Sequence, residues 1–246
     1  MIGQATGELA SLVARADEDR WLAARLAPEG VRARLIAIYA LNNEIARVAE
    51  TVREPQIGQM RLLWWRETVD EVAGGQPPRA HPAAQALAAA HADRPLPLAT
   101  FHALIEARLR DFDVFATWEE VAAYIDATAG SVLKLALRAC GDAPVSEEFI
   151  RAGGRAWGYA GLLRAAPALR AKRQAVFPDA PDAADALLAE RSLSAYAEAK
   201  KAVPRAAELF PALGYLTFVP AYAAGQRPSR FARQLRLLGA SLTGRI

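Results

Sequence analysis

Amides, arginines and carboxylates recur at helical spacing in the first third of the chain. Stepping about 100° per residue from Asn43 places Asn43, Arg47, Glu50 and Glu54 on one narrow face, with Leu41, Ile45, Val48 and Val52 opposite. An amphipathic helix of this kind turns its polar stripe either to solvent or to a wet cavity. In a cavity, carboxylates one turn apart share hard cations, and a guanidinium beside them grips an anion. Glu67, Asp70 and Glu71 form a second set at helical spacing, which reads equally as an ion-paired, solvated face. Farther on, Arg164, Arg170, Lys172 and Arg173 offer cations that pair with phosphate oxygens without a metal. The same residues also suit a solvated basic loop.

Other chemistries find no matching pattern. His81, His91 and His102 are scattered, with neither HExxH nor an i,i+4 pair, so no zinc site is expected. Cys140 stands beside Gly141 at an expected helix end and reads as a small buried thiol rather than a nucleophile. Neither G-x-S-x-G nor a Walker sequence occurs, which argues against a hydrolase. Asp17-Glu18-Asp19 reads as the acidic start of a helix, complementing its dipole, rather than as a metal site.

The elements that must position these residues are helices. The 246 residues are 53% hydrophobic, much of that alanine, and contain neither period-two β-branched runs nor an Asn-Gly or Asp-Gly hairpin signal. An all-α fold is expected, and with no Gly/Ser-rich or Pro-rich linker it forms one domain over residues 1–246. The net charge of +3 is too mild and dispersed to argue for nucleic acid. A single cysteine and an N-terminus without a leader pattern point to a reducing, cytoplasmic setting, and no run of eighteen apolar residues offers a membrane span.

In chain order, one or two helices occupy residues 4–27, stopped by Pro28 and Gly30. The polar-faced helix then runs to Pro55. The next covers Ile57 to Val72, with Met60, Leu63, Trp64 and Val69 as its apolar set. His81-Pro82 opens an alanine-rich helix to about Ala92, and another passes through Phe101, Leu104, Ile105 and Leu109. Thr117 with Glu120 predicts a capping box ahead of a helix from Trp118 to Cys140. Ser146 caps the following helix, in which Gly154, Gly158 and Gly161 suit close packing better than a dinucleotide turn, and Pro167 should kink or end it near Ala166. Helices resume from Ala183 to Val203 and from Ala206 to Tyr222. The last starts at Pro228, with Phe231, Leu235, Leu238 and Leu242 on one stripe and Arg230, Arg233 and Arg236 around it. It fits either an ordinary docking helix or one lying on a membrane surface.

The ordered set Ile38-Tyr39-Ala40, Leu62-Leu-Trp-Trp-Arg-Glu-Thr-Val-Asp70, Gly74-Gly75, His81-Pro82, Tyr124, Ala129-Gly130, Gly154-x-Ala156, Leu162-Leu-Arg164 and Phe177-Pro178 resembles the squalene/phytoene synthase family over nearly the whole chain. The resemblance implies an isoprenoid-synthase-type helical bundle around a central cavity. Active members hold magnesium against a prenyl diphosphate with two acidic motifs, so magnesium is the one cofactor the resemblance suggests. Aligned here, those aspartates fall at Ala46, Glu50, Ala165 and Leu169, with Arg47 beside the first pair and Gly158 and Gly161 where amides usually precede the second. One carboxylate of four remains.

Asn43-Glu-Ile-Ala-Arg-Val48, Ile57-Gly-x-Met-Arg61 and Leu163-Arg-Ala-x-Pro167 look more like the NADH dehydrogenase (complex I) assembly factor 6 group, which keeps the fold without the aspartates. Three readings follow. The chain is a non-catalytic assembly factor or binder of an isoprenoid diphosphate or lipid, with complex I subunits as implied partners. Alternatively it is a prenyl transferase with relocated carboxylates, or a peripheral membrane module at the inner face of a membrane. For the cavity, Tyr39, Asn43, Arg47, Glu50, Glu54, Arg164, Arg170 and Arg173 are the candidate ligand-binding residues, with Trp65 on its wall.

Overall fold

The computed structural model describes residues 2–52, 54–171, 177–244 and 246, with side chains from residue 7 onward. Among them there are helices and turns and no strand. The helices are α1 (Ile2–Ala16), α2 (Glu18–Ala24), α3 (Glu29–Ala46), α4 (Val48–Thr51), α5 (Pro55–Ala73), α6 (Pro82–Asp93) and α7 (Leu98–Ala107). They continue with α8 (Trp118–Ile125), α9 (Ser131–Cys140), α10 (Glu147–Ala171), α11 (Pro181–Lys201), α12 (Phe210–Leu213), α13 (Val219–Ala223) and α14 (Arg230–Thr243).

The middle of α3 is buried all round, from Leu35 through Leu41 without a break. The run Leu-Ile-Ala-Ile-Tyr-Ala-Leu makes this feasible, because every side chain is apolar or aromatic and alanine lets neighbours approach. Helices α1, α6 and α9 surround it. A second axis is α10, which pairs along its length with α11 in the most extensive helix contact of the fold.

Close approach at α10 comes from two glycines. A Cβ on Gly154 would lie 2.6 Å from the Cα of Gly130, and one on Gly158 would lie 2.2 Å from Cγ2 of Ile125. Gly130 ends a π-helical turn, Asp126–Gly130, that joins α8 to α9. Arg155 clamps that turn to α10, donating to Asp126 through Nε at 2.8 Å and Nη2 at 2.7 Å. The helix expected from Trp118 to Cys140 is therefore present with a widened turn inside it, a feature that often marks functional sites.

The caps follow their sequence signals with one displacement. Thr117 accepts from the N–H of Glu120 at 3.2 Å, whereas the Glu120 carboxylate accepts from the N–H of Ala116 rather than from Thr117. Ser146 Oγ accepts from Phe149 N–H, and His81 Nδ1 from Ala83 N–H.

Four expectations are corrected. The helix through Asn43 stops at Ala46, Arg47 caps it, and Val52 is extended, so Glu50 and Glu54 do not continue its face. On α5 the buried set is Leu62, Trp65, Val69 and Val72, while Met60 and Leu63 are 70% and 54% exposed. The doubled run Leu62-Leu63-Trp64-Trp65 supports two helical frames one residue apart, and packing against α6 and α7 selects the other one. The α10 helix runs past Pro167 to Ala171. Pro167 is exposed, and the long pairing with α11 outweighs the proline penalty of about 3 kcal/mol. Between Ala206 and Tyr222 the chain is not one helix. Pro211, Gly214 and Pro220 divide it into 3₁₀ turns, α12 and α13, all packed into the core.

Candidate functional site

Between α3, α8 and α10 lies a cavity of about 170 Å³ lined by Arg20, Asn42, Arg108, Tyr124, Ile125, Thr128 and Trp157, with Gly158 and Gly161 on the α10 side. Gly161 has nothing near its missing Cβ, which leaves the space open where Gly154 and Gly158 close it.

Arg20 reaches this space from α2 and is 5% exposed. It donates to Asp17 at 2.8 Å and stands over the rings of Tyr215, Tyr39 and Trp157 at 5.0, 5.7 and 5.7 Å. Burial opposes its charge, but Asp17 and the hydroxyls of Tyr215 and Tyr39 outweigh it and hold its pKa above the ordinary arginine value. Its Nε has no hydrogen-bond partner, and neither does the buried hydroxyl of Tyr39, whose pKa burial pushes well up.

The opposite wall is a network around Arg108, from the 3₁₀ turn Arg108–Phe112. It donates to the Tyr124 hydroxyl at 2.8 Å, to Asn42 Oδ1 at 3.3 Å and to Asp111 at 3.4 Å, and Tyr124 donates to Asp111 at 2.5 Å. Burial raises the Asp111 carboxyl above its usual range in spite of Arg108, and it raises the Tyr124 hydroxyl as well. Burial works against the Arg108 charge too, yet Tyr124 and Asp111 keep it raised. The Tyr124 and Thr128 hydroxyls already donate to Asp111 and to the Tyr124 carbonyl, so what the cavity offers an anion is its two charged guanidiniums, each with a buried Nε that has no partner.

The residues named from the sequence are not gathered here. Tyr39 packs behind Arg20. Arg47 lines a separate cleft of about 300 Å³ with Glu44, Thr51, Arg61, Trp65 and His81. Trp65 belongs to that cleft, not to the central cavity. Asn43 is half-buried, and Glu50 and Glu54 are exposed. Arg164 faces α2 instead of Glu50. It pairs with Asp19 at 3.1 Å and lies over Trp157 and Tyr222 at 4.7 and 4.2 Å. Arg170 is bonded to Asp185 and, at 3.1 Å, to the carbonyl of Pro181, tying α10 to α11. Arg173 and Lys172 lie outside the described residues. Of the alternative carboxylates, Glu67 and Glu71 pair with Arg79, and Asp70 bonds to His102. Cys140 is buried, and burial pushes its thiol up to about 12, as expected of an inert thiol.

Arg20 and Arg108 escaped the sequence reading because an arginine three residues from an acid, Asp17 or Asp111, also suits an ion pair on a solvated helix face. Asn42 was within reach. It adjoins Asn43, and a rotation of one residue, about 100°, turns the neighbouring amide inward. The i,i+3 pair of Arg108 and Asp111 was a second signal.

A model of squalene/phytoene synthase matches residues 13–181. The chain belongs to the squalene/phytoene synthase family. Its architecture agrees with two solved structures. A dehydrosqualene synthase in complex with ligand superposes with a TM-score of 0.80 at 16% identity, covering 98% of this chain and 96% of that one. Squalene synthase HpnC from Alicyclobacillus acidocaldarius gives 0.71 at 18% identity, covering 98% and 94%. At these identities the likeness concerns the isoprenoid-synthase-type fold.

In sequence, the chain is similar to NADH dehydrogenase (ubiquinone) complex I, assembly factor 6. It is 28% identical to the Bos taurus and Homo sapiens proteins over 170 residues, 68% of this chain and 51% of each. The Drosophila melanogaster homolog is 30% identical over 172 residues, 67% of this chain and 51% of that protein. The chain spans about half the length of these relatives.

The magnesium that squalene/phytoene synthases imply requires several hard anionic oxygens around each ion. Ala46 ends α3 and Glu50 stands exposed on α4, while Ala165 and Leu169 flank Pro167. Among the described residues, no three or more His, Cys, Asp or Glu side chains come together in a way that could hold a metal ion. Asp17 and Asp111, the acids beside the cavity, are engaged by Arg20 and Arg108, so the lining does not offer magnesium the set of anionic oxygens it needs.

Proposed function

We propose that this chain is a non-catalytic squalene/phytoene synthase-family protein that serves the assembly of respiratory complex I, and that its cavity holds the anionic group of a lipid or isoprenoid diphosphate. The observation that carries this reading is the lining: Arg20 and Arg108 face a space where carboxylates would be needed to hold magnesium. The similarity to proteins named complex I assembly factor 6 supports the partner. At about 170 Å³ the cavity is below the roughly 300–1,000 Å³ of ordinary small-molecule sites. It accepts a phosphate-sized group and leaves a long prenyl chain to the outside.

Two measurements test the proposal. In source cells lacking the chain, assembled complex I on a native gel and NADH–quinone oxidoreductase activity should fall several-fold and return with the wild-type chain. The purified protein, given farnesyl or geranylgeranyl diphosphate and magnesium, should release no pyrophosphate above the blank. Release at an enzyme-like rate would overturn the non-catalytic reading, and unchanged complex I would overturn the assembly role.

A further inference from the structure

Helix α14 is held to the body by Leu237 and the partly buried Ala240 against the core and by ion pairs to α2. Leu237 is its one buried residue, and it packs against Gly214, with its Cδ2 3.2 Å from the position of a Cβ there. Arg230 Nε pairs with Glu18 at 2.8 Å, and Arg233 pairs with Glu18 and, at 2.5 Å, with Asp19. The larger apolar face points elsewhere. Phe231, Leu235, Leu238 and Leu242 fall within about 60° of one another on the side turned away from Leu237. They are 68%, 54%, 50% and 88% exposed. An ordinary docking helix buries its leucine stripe; this one buries a single leucine and presents four large side chains outward.

We propose that this face binds an anionic phospholipid surface, with α14 lying in the plane of the membrane and its Phe and Leu side chains at the boundary of headgroups and acyl chains. The charge around the face selects this occupant. Residues 209–246 hold five arginines and no Asp or Glu, and of these Arg230 and Arg233 are paired with Glu18 and Asp19 of α2. Arg227, in the turn before α14, and Arg236, about 130° round the helix from the middle of the stripe on the flank opposite Leu237, are both exposed. At the α2 edge Trp21 is half-buried between Arg25 and Arg230, each about 5 Å from its ring (5.0 and 5.1 Å), an amphipathic ring suited to a headgroup layer. A polar-flanked, Arg-bearing helix with Leu and Phe on one side is the composition of interfacial helices, and no helix of the described residues is long and apolar enough to cross a membrane.

A second copy of the chain fits less well. Two such helices face to face would match apolar stripes only, since Arg230 and Arg233 are already paired with Glu18 and Asp19 of their own chain and supply no contact across the seam. One face of a 14-residue helix also falls short of the about 800 Å² per partner that a stable interface uses.

The test is cosedimentation of the full chain with vesicles of phosphatidylcholine alone or with added phosphatidylglycerol, at low and at about 0.5 M salt. Wild type should pellet with the anionic vesicles at low salt and be released by high salt. The double variant Leu235→Ser, Leu238→Ser should bind on the order of tenfold more weakly or less, and Arg236→Glu should lose most of the salt-sensitive part. All three positions are exposed, so thermal midpoints should match wild type and loss of binding will not reflect unfolding. Absence of wild-type pelleting, or equal pelleting of the double variant, would overturn the proposal. So would a concentration-dependent dimer that the same substitutions break, since it would assign the face to a second copy.

Discussion

Asp19 accepts from Tyr222 at 2.7 Å, Arg164 at 3.1 Å and Arg233 at 2.5 Å, and its side chain is 5% exposed. One carboxylate thus satisfies two guanidiniums and a hydroxyl drawn from α10, α13 and α14. Replacing Asp19 by Ala leaves the Tyr222 hydroxyl and parts of two guanidiniums without an acceptor, while Arg164 is 33% exposed and Arg233 keeps Glu18, so stability in urea denaturation should fall by about 1–3 kcal/mol. Glu18→Ala, at a side chain 30% exposed, should cost about 1 kcal/mol or less, because water replaces the carboxylate. Equal losses would mean that burial at Asp19 does not set the energy. Asp17-Glu18-Asp19 was legible as a helix start, and Asp17 does cap α2 through the N–H of Arg20. The tertiary role of Asp19 was not, since its partners lie 145 to 214 residues away and no local pattern encodes them. Arg164 was singled out from a motif, and the structure gives it an intramolecular partner in this hub.

At the scale of elements, local signals held at several helix starts and failed at the end of α3, which stops at Ala46, and between Ala206 and Tyr222, where Pro211, Gly214 and Pro220 break the helix. The starts of α6 and α8 followed their caps and prolines, and close packing at the α10 glycines holds at Gly154 and Gly158 but not at Gly161. Local signals also gave way where the apolar run allowed two frames, as on α5, or where tertiary pairing outweighed a breaker, as at Pro167. The glycines of α10 show how far a shared spacing misleads. Gly154→Ala sets a methyl 2.6 Å from backbone at Gly130 that cannot rotate aside, and overpacking should destabilise by about 1–3 kcal/mol. Gly161→Ala meets nothing within 4 Å and should gain up to about 1 kcal/mol of helix propensity. Chemical denaturation of the two variants decides the matter. A tolerated Gly154→Ala would mean that the π-helical turn can yield, and that its position beside the cavity is not fixed by α10.

For the whole molecule, the fold matches a dehydrosqualene synthase over 98% of the chain while the cavity is lined by arginines that engage the acids beside it, where a metal cluster needs carboxylates facing inward. The class of fold was legible because helical periodicity is repeated throughout the sequence; the lining was not, because it is assembled from single residues of five segments. The contrast yields a thermodynamic signature. A specific magnesium site saturated at a hundredfold its dissociation constant would add about 2.7 kcal/mol, which for a chain of this size raises the melting midpoint by roughly 5–10 °C. Magnesium chloride should instead shift the midpoint no more than sodium chloride of equal ionic strength. Inorganic pyrophosphate without metal should raise it, through Arg20 and Arg108, and the rise should shrink in Arg108→Ala relative to that variant's own baseline. Adding magnesium to the pyrophosphate sample should reduce the effect, because the ion competes with the guanidiniums for the same oxygens. A metal-dependent site would respond in the reverse order, with pyrophosphate stabilising only once magnesium is present.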